Sequence, residues 1–170
     1  MKKLFFIVSS VLMVSLLVLA CSQTQVAEGP QENVKYDSNT WVYASNKQLA
    51  SYPIKGFGYK DSIVPQQEWN KWATATAPVV SKIISELPEG YVLQVTGHTD
   101  SRGPETAVGN KPGNLKISAD RARNVQNMLK QKGVTSPKLT AKGVGSSEPV
   151  AGLPTDDPQQ RRVTFQVVPK

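Results

Sequence analysis

The sequence predicts an α+β domain, a two-layer sandwich in which helices pack on one face of a mixed four-stranded sheet. Two observations predict this fold. Short runs in which apolar and polar residues alternate are separated by longer runs with apolar residues at helical spacing. The resulting order over residues 52–170 is β-α-β-α-β-β. A domain of roughly 120 residues also buries about two-thirds of its unfolded surface, so it can form a core without disulfides.

The first half of the domain contains two predicted strands and one helix. A strand is predicted over residues 53–60, and a second over residues 91–98, where apolar and polar residues alternate. Between them, residues 65–87 carry apolar side chains at helical spacing. Pro78 lies inside this helix and predicts that it is kinked or split in two.

The second half contains the other helix and two more strands. Ser118 is the predicted N-cap of the helix and Gly133 its stop signal. The predicted inward face consists of Ala122, Val125 and Leu129, with Met128 beside it. Strands are predicted over residues 137–145 and 161–168, which completes the sheet.

The N-terminus has the pattern of a secretory signal peptide over residues 1–20, a positive "MKK" followed by an uncharged apolar run. An uncleaved membrane anchor is the alternative, because the run is at the short limit for a spanning helix of about 20 residues. The ending "VLAC" resembles a bacterial lipobox, which implies that Cys21 becomes the acylated first residue of a lipoprotein and carries palmitate. Ser22, where many inner-membrane lipoproteins have aspartate, favours the outer membrane.

Residues 21–51 are predicted to form the lipidated N-terminus and a flexible tether, because they are rich in Gln, Asn and Ser and show no sustained period. The exception is "WVYA", residues 41–44, which is either a short strand or a packing anchor. Pulled straight, such a tether spans roughly 100 Å.

Composition excludes several classes of function. The net charge is +7, but Lys and Arg form no dense run, so nucleic acid is not indicated. A single cysteine, Cys21, and a single histidine, His98, exclude a disulfide framework and a Cys- or His-rich zinc site. No Gly-x-Ser-x-Gly motif accompanies His98. We therefore expect no cofactor, no metal and no enzymatic activity.

Two charged residues suggest a binding site. Asp100 follows the strand over residues 91–98 and is expected to be exposed and free to bind a cation, unless it only forms a turn. Arg121 falls in the first turn of the helix predicted from Ser118, where a cation costs about 0.3–1 kcal/mol. It either helps the helix N-terminus to bind an anion or lies in solvent. The two residues either form a salt bridge or hold a zwitterion between them.

The segments "GHTDSRG" and "NLKISADRA" resemble the G-H-T-D-x-x-G and N-x-x-L-S-x-x-R-A motifs of the OmpA-like C-terminal domain. "AKGVGSSEPVA" and "QQRRVTF" resemble its later turn and its closing segment, and the resemblance extends over roughly residues 52–168. With Cys21, the architecture is similar to that of the peptidoglycan-associated lipoproteins.

The resemblance implies non-covalent binding of peptidoglycan through the diamino acid of its stem peptide, usually diaminopimelate. Asp100 would take the ammonium group and Arg121 the carboxylate, with Thr99, Asn114 and Asp61 in support. The expected function is a lipid-anchored protein that ties the outer membrane to the cell wall, with its domain in the periplasm. The alternatives are a murein-anchored component of an envelope machine, such as a motor or secretion complex, and a cell-wall hydrolase.

One departure from the family pattern lies between the two motifs. The chain has about six extra residues around 106–113, rich in Gly, Asn and Pro, which predict a loop. This loop either walls or covers the pocket or is an inert surface insertion, since loops tolerate insertions well.

Overall fold

The computed structural model describes residues 37–170. The predicted signal peptide and the lipidation site Cys21 lie outside the described residues. The helices and strands run in the order α1 (Ser38–Leu49), α2 (Gln66–Ser85), β1 (Tyr91–Gly97), α3 (Asn114–Gln131), β2 (Leu139–Gly143) and β3 (Val163–Pro169), with a short 3-10 helix, Pro158–Gln160, before β3.

The sheet has the strand order β2-β1-β3. The central strand β1 runs parallel to β2 and antiparallel to β3, so the sheet is mixed, as predicted. The α+β class is confirmed, but the prediction of four strands is wrong for the described residues, where the sheet has three.

The predicted strand over residues 53–60 is reduced to a single bridge. Ile54 exchanges two backbone hydrogen bonds with Val163, at 2.9 and 2.8 Å. Gly56 then adopts a φ of +85°, a conformation that suits glycine, and the chain leaves the sheet. The apolar residues Ile54 and Phe57 of this segment are buried in the core, and this burial rather than strand pairing explains them.

Helix α2 confirms the predicted apolar face. Trp72 stacks on Phe165 of β3 with ring centroids 4.9 Å apart, and Trp69 stacks on Trp72 at 5.4 Å. The helix continues through Pro78 without interruption, so the predicted split is wrong. Buried residues occur on both sides of the proline, Trp72 before it and Val80 after it, so packing of both halves against one core offsets the lost hydrogen bond.

Helix α3 begins at Asn114, four residues before the predicted N-cap Ser118. The Ser118 hydroxyl lies inside the helix, where it donates to the Leu115 carbonyl and accepts from the Gly145 N–H, both at 2.9 Å. Arg121 therefore lies beyond the first turn, and the argument from the helix dipole does not apply to it. The predicted inward face is confirmed, since Ala122, Val125 and Leu129 are fully buried.

A pair of glycines allows α3 to lie directly against the sheet. Gly97 of β1 and Gly143 of β2 are register partners at the ends of the two strands. A Cβ at Gly97 would collide with the Ser118 carbonyl, and one at Gly143 with the Ala119 backbone. Glycine at both positions thus sets how closely the helix approaches the loop that follows β1.

Helix α1 corrects the predicted tether, because residues 38–49 are helical and packed rather than flexible. The Asp37 carboxylate caps the helix by accepting from the N–H groups of Asn39 and Thr40. Leu49 is buried in the core, and Trp41 packs against it, so the packing-anchor interpretation of "WVYA" is confirmed and the strand is wrong. Within residues 37–170, no helix is both long and apolar enough to cross a membrane.

Candidate functional site

Asp100 lies in the loop after β1, and its carboxylate is already occupied. Its Oδ2 accepts hydrogen bonds from Arg102 Nη2 at 2.6 Å, Arg102 Nε at 3.1 Å and Arg161 Nη1 at 2.8 Å. The side chain is 2 % exposed. The expectation of an exposed, unpaired aspartate is therefore wrong, because two guanidinium groups cover it.

These contacts determine the charge of Asp100. Burial alone would raise the pKa of its carboxyl group, but the hydrogen bonds from Arg102 and Arg161 outweigh burial and lower the pKa below its usual range. The Arg102 backbone N–H, 3.2 Å from Oδ1, acts in the same direction. Asp100 is thus ionised and accepts hydrogen bonds from cationic nitrogen donors.

Arg121 is fully buried and binds backbone carbonyls. Its Nε donates to the carbonyl of Asp61 at 2.7 Å, its Nη1 to that of His98 at 2.7 Å, and its Nη2 to that of Gly58 at 2.9 Å. Burial, with the positive charge of Arg161, lowers the pKa of Arg121 to about 10, against the opposing effect of Asp100 and Asp61. It remains a cation at neutral pH.

The segment between Ile54 and α2 is held by side chains. Its carbonyls at residues 57, 58, 61 and 62 accept hydrogen bonds from Arg161, Arg121 (twice) and Asn124. Lys60, between the two Arg121 contacts, has a φ of +57°, which is uncommon for a residue other than glycine. The arginines replace the strand partner that this segment lacks, and they fix it next to Asp100.

Asp100 and Arg121 do not form a salt bridge with each other. Among residues 37–170, the ion pairs of Asp100 are those with Arg102 and Arg161. A guanidinium has five N–H donors, and the three carbonyl contacts of Arg121 leave one N–H on each Nη nitrogen without a partner in that part of the chain. The salt-bridge alternative is thus wrong.

Two more predicted site residues flank Asp100. The hydroxyl of Thr99 is buried and has no hydrogen-bond partner in the described part of the chain, which costs stability unless a ligand or water satisfies it. Asn114, the first residue of α3, donates from Nδ2 to the Asp100 carbonyl at 3.4 Å and to Glu105 Oε1 at 3.2 Å. Asn114 therefore positions the loop. Asp61 contributes its carbonyl to Arg121, while its Oδ1 accepts the Ile63 N–H at 2.8 Å.

The start of the long loop caps α3. The carbonyls of Pro104 and Glu105 accept the N–H groups of Asn114 and Leu115, at 2.9 and 3.1 Å. The Glu105 carboxylate also accepts from the N–H and hydroxyl of Ser146, in the turn after β2. The extra residues 106–113 form a tight turn with a bridge between Val108 and Lys111, and residues 106–112 are exposed. No hydrogen bond within the described chain joins residues 106–112 to Asp100 or Arg121.

His98 is a buried, neutral side chain. Its Nε2 lies 2.9 Å from Thr164 Oγ1, while its Nδ1 has no hydrogen-bond partner among the described residues. Burial, together with the positive charge of Arg162, lowers the pKa of His98 to about 3. Its carbonyl positions Arg121, so its place in the site is structural.

The chain matches the OmpA family over residues 73–162, more than half of its length. It belongs to the OmpA family. Among curated relatives, outer membrane protein A of Shimwellia blattae is 35% identical over 74 residues, which are 44% of this chain and 28% of that protein. The chain thus spans less than a third of that relative's length.

Solved structures share the OmpA-family fold. The peptidoglycan-associated lipoprotein from Burkholderia pseudomallei superposes with a TM-score of 0.55 at 22% identity, over 71% of this chain and 92% of that one. The OmpA-like domain of FopA1 from Francisella tularensis gives a TM-score of 0.53 at 23% identity, over 69% and 71% of the two chains. At this level of identity the likeness concerns the fold.

Two residues of the site were missed by sequence reasoning on this OmpA-family chain. Arg161 lies in "QQRRVTF", a segment singled out for its family pattern but not for a contact with Asp100. Arg102 follows Asp100 by two residues, and that spacing was the available signal. A cleft of about 400 Å³ between α1 and α2, lined by residues such as Trp41 and Ile83, includes none of the site residues.

Proposed function

We propose that this protein binds peptidoglycan non-covalently, through the zwitterionic headgroup of the diamino acid in its stem peptide. The observation that carries the proposal is the buried, ionised carboxylate of Asp100, which holds cationic nitrogen donors at hydrogen-bond distance. Membership of the OmpA family over residues 73–162 supports the same function.

The charges around Asp100 favour a zwitterion over a simple amine. An ammonium group that binds Asp100 also comes close to Arg161, whose Nη1 is 2.8 Å from the same oxygen. A carboxylate on the same ligand carbon offsets this repulsion and can use the remaining donors of Arg121. Thr99 supplies a buried hydroxyl in need of a partner, and Asn114 holds the loop in place.

The second part of the proposal is an anchor at Cys21, acylated after removal of residues 1–20, in the outer membrane with the domain in the periplasm. Two or three acyl chains hold a protein firmly, whereas one binds only marginally. Weak wall binding and a lipid anchor on one chain then act together through effective concentration. Mass spectrometry of the membrane-extracted protein tests this part, since an unmodified Cys21 contradicts it.

Sedimentation with purified sacculi tests wall binding. We expect the full-length protein in detergent to sediment with them and Asp100→Asn to remain in the supernatant, because the neutral amide cannot hold an ammonium group. Arg123→Ala is the control, since Arg123 is exposed on α3 and pairs with Asp120. Equal sedimentation of folded Asp100→Asn and the wild type would contradict the proposal.

We also propose that the domain binds the wall without cleaving it. The support is the state of His98, which is buried and neutral and bonds Thr164. Incubation of sacculi with the protein should release no soluble muropeptides, as measured by chromatography of the supernatant. Release that grows with time would favour the hydrolase instead.

A further inference from the structure

Two guanidinium groups share Asp100 Oδ2, and they are held very differently. Arg161 is 13 % exposed, and its Nε donates to the Phe57 carbonyl at 2.7 Å, so it belongs to the frame of the domain. Arg102 is 44 % exposed, and its guanidinium carbon lies 4.5 Å from the ring centroid of Tyr59, which is itself 48 % exposed.

The backbone around Arg102 is fixed by contacts outside the site, whereas its side chain contacts Asp100 and the half-exposed Tyr59 ring. Ser101 donates its N–H to the Thr155 carbonyl at 2.9 Å, and its hydroxyl bonds the Thr155 hydroxyl at 3.1 Å. On the other side, Gly103 turns the chain with a φ of +89°. Rotation of the Arg102 side chain therefore removes one of the two guanidinium groups that cover Asp100 without moving the loop.

Asp100 cannot receive a ligand while Arg102 remains in place. The carboxylate is 2 % exposed, and the fork of Arg102 occupies Oδ2 through two nitrogens. A ligand ammonium group carries the same charge as Arg102 and donates to the same carboxylate, so the two compete for it. Of the two covering groups, Arg102 is the one that faces solvent.

We propose that Arg102 is an internal competitor for the cation position on Asp100: in the free protein its guanidinium takes the place of the ligand's ammonium group and is displaced when the ligand binds. We call Arg102 with its supporting ring, Tyr59, the Arg102 latch. The inference rests on the proposed function, since it concerns the same site.

The latch lowers affinity and sharpens selectivity. The apparent affinity equals the intrinsic affinity multiplied by the fraction of molecules in which Asp100 is open. The Arg102–Asp100 pair sets this fraction, and a headgroup that brings both an ammonium and a carboxylate offsets its loss better than a simple amine.

Calorimetric titration of the full-length protein in detergent with meso-diaminopimelic acid tests the latch. Arg102→Ala is expected to lower the dissociation constant by roughly fivefold, the weight of a partly exposed ion pair. Tyr59→Ala, which removes the supporting ring but no charge, should lower it by a smaller factor. Unchanged or weaker binding by Arg102→Ala overturns the inference, and weaker binding would make Arg102 a ligand contact.

Two further variants separate the latch from other causes. Arg123→Ala removes the same charge far from Asp100 in sequence and should leave the dissociation constant unchanged; an equal gain there would show a net-charge effect and overturn the latch. Asp100→Asn should not bind. If the wild type binds in an Asp100-dependent way but Arg102→Ala gains nothing, the latch alone fails. If neither the wild type nor Arg102→Ala binds, the proposed function fails with it.

Discussion

At the scale of single residues, the buried Arg121 donates hydrogen bonds to backbone carbonyls, as the N–H groups of a neighbouring strand do in a sheet. Its three contacts satisfy carbonyls of Gly58, Asp61 and His98, which lie on two separate segments. Because these carbonyls have few other partners, the guanidinium joins the segment after Ile54 to the end of β1. Arg121 therefore has a structural role in addition to its proposed role in binding.

Arg121→Ala is expected to destabilise the domain by about 3 kcal/mol, since it removes the donor to the carbonyls of Asp61 and His98 and leaves a cavity where a fully buried side chain was. Urea unfolding followed by circular dichroism measures this. Arg123→Ala, at an exposed position on the same helix, should change the free energy of unfolding by less than about 0.5 kcal/mol. Equal stability of the two variants would contradict the structural role of Arg121.

The lowered pKa of His98 predicts that the domain loses stability in mild acid. Its pKa is 6.5 in the unfolded chain and about 3 in the folded one, so between these values the unfolded chain holds more protons. Acidification therefore favours unfolding, by up to about 1.4 kcal/mol per pH unit. Asp100, with its lowered pKa, adds a loss only below the usual carboxyl range.

The measurement is the urea midpoint between pH 6.5 and pH 4 for the wild type and for His98→Gln. Glutamine does not titrate and retains an amide that can reach Thr164. The variant should show a flatter pH dependence over this window. Parallel curves would show that His98 is not the titrating group.

At the scale of elements, α1 protects the free edge of β3. The side chain of Asn46 accepts the Val167 N–H at 2.7 Å and donates to the Val167 carbonyl at 3.0 Å, as a neighbouring strand would. Ile54 does the same for Val163 through its backbone. An edge strand with unpaired backbone groups invites association with other chains, and these two contacts cover part of it.

Asn46→Ala is expected to lower stability by about 1–2 kcal/mol and to promote self-association, because it frees the Val167 backbone. Leu49→Ala should cost about 2–4 kcal/mol through the cavity it leaves. Unfolding experiments and light scattering measure the two effects. Asn39→Ala is the control, since Asn39 is exposed on the same helix. Unchanged stability of Leu49→Ala would mean that α1 is not part of the domain.

The elements show how far sequence patterns extend. Strands β1 and β3 were predicted from their alternating apolar residues, which in β3 match the alternating burial, and α2 was predicted because its apolar stripe is long. The start of α3 was missed because its cap is the backbone of Pro104 and Glu105, which leaves no cap signal at Gly113. Helix α1 was missed because its apolar residues are mostly consecutive, at 41–44, rather than at helical spacing, and its stability comes from contacts distant in sequence.

For the candidate site, the sequence identified the residues but not their burial or their hydrogen-bond partners. Asp100 and Arg121 were found from local pattern and family resemblance, and the structure holds both near the end of β1. Their burial, and the pairing of Asp100 with Arg161, depend on segments about 60 residues apart, which no local pattern reports.

At the scale of the whole molecule, the domain begins earlier than predicted and the proposed tether is shorter. About 16 residues separate Cys21 from the start of α1, and a chain of that length spans at most about 55 Å. The greatest reach from an anchor at Cys21 to the start of the domain is thus roughly half of that expected from a tether ending at residue 51.

The central claim is that Asp100 binds the headgroup of a diamino acid, and titration of the full-length protein with three matched ligands tests it most directly. We predict saturable binding of meso-diaminopimelate, loss of that binding in Asp100→Asn, and no binding of pimelate, which lacks the ammonium groups, or of 1,5-diaminopentane, which lacks the carboxylates. Binding of pimelate or diaminopentane as tight as that of diaminopimelate, or undiminished binding by Asp100→Asn, would contradict the account.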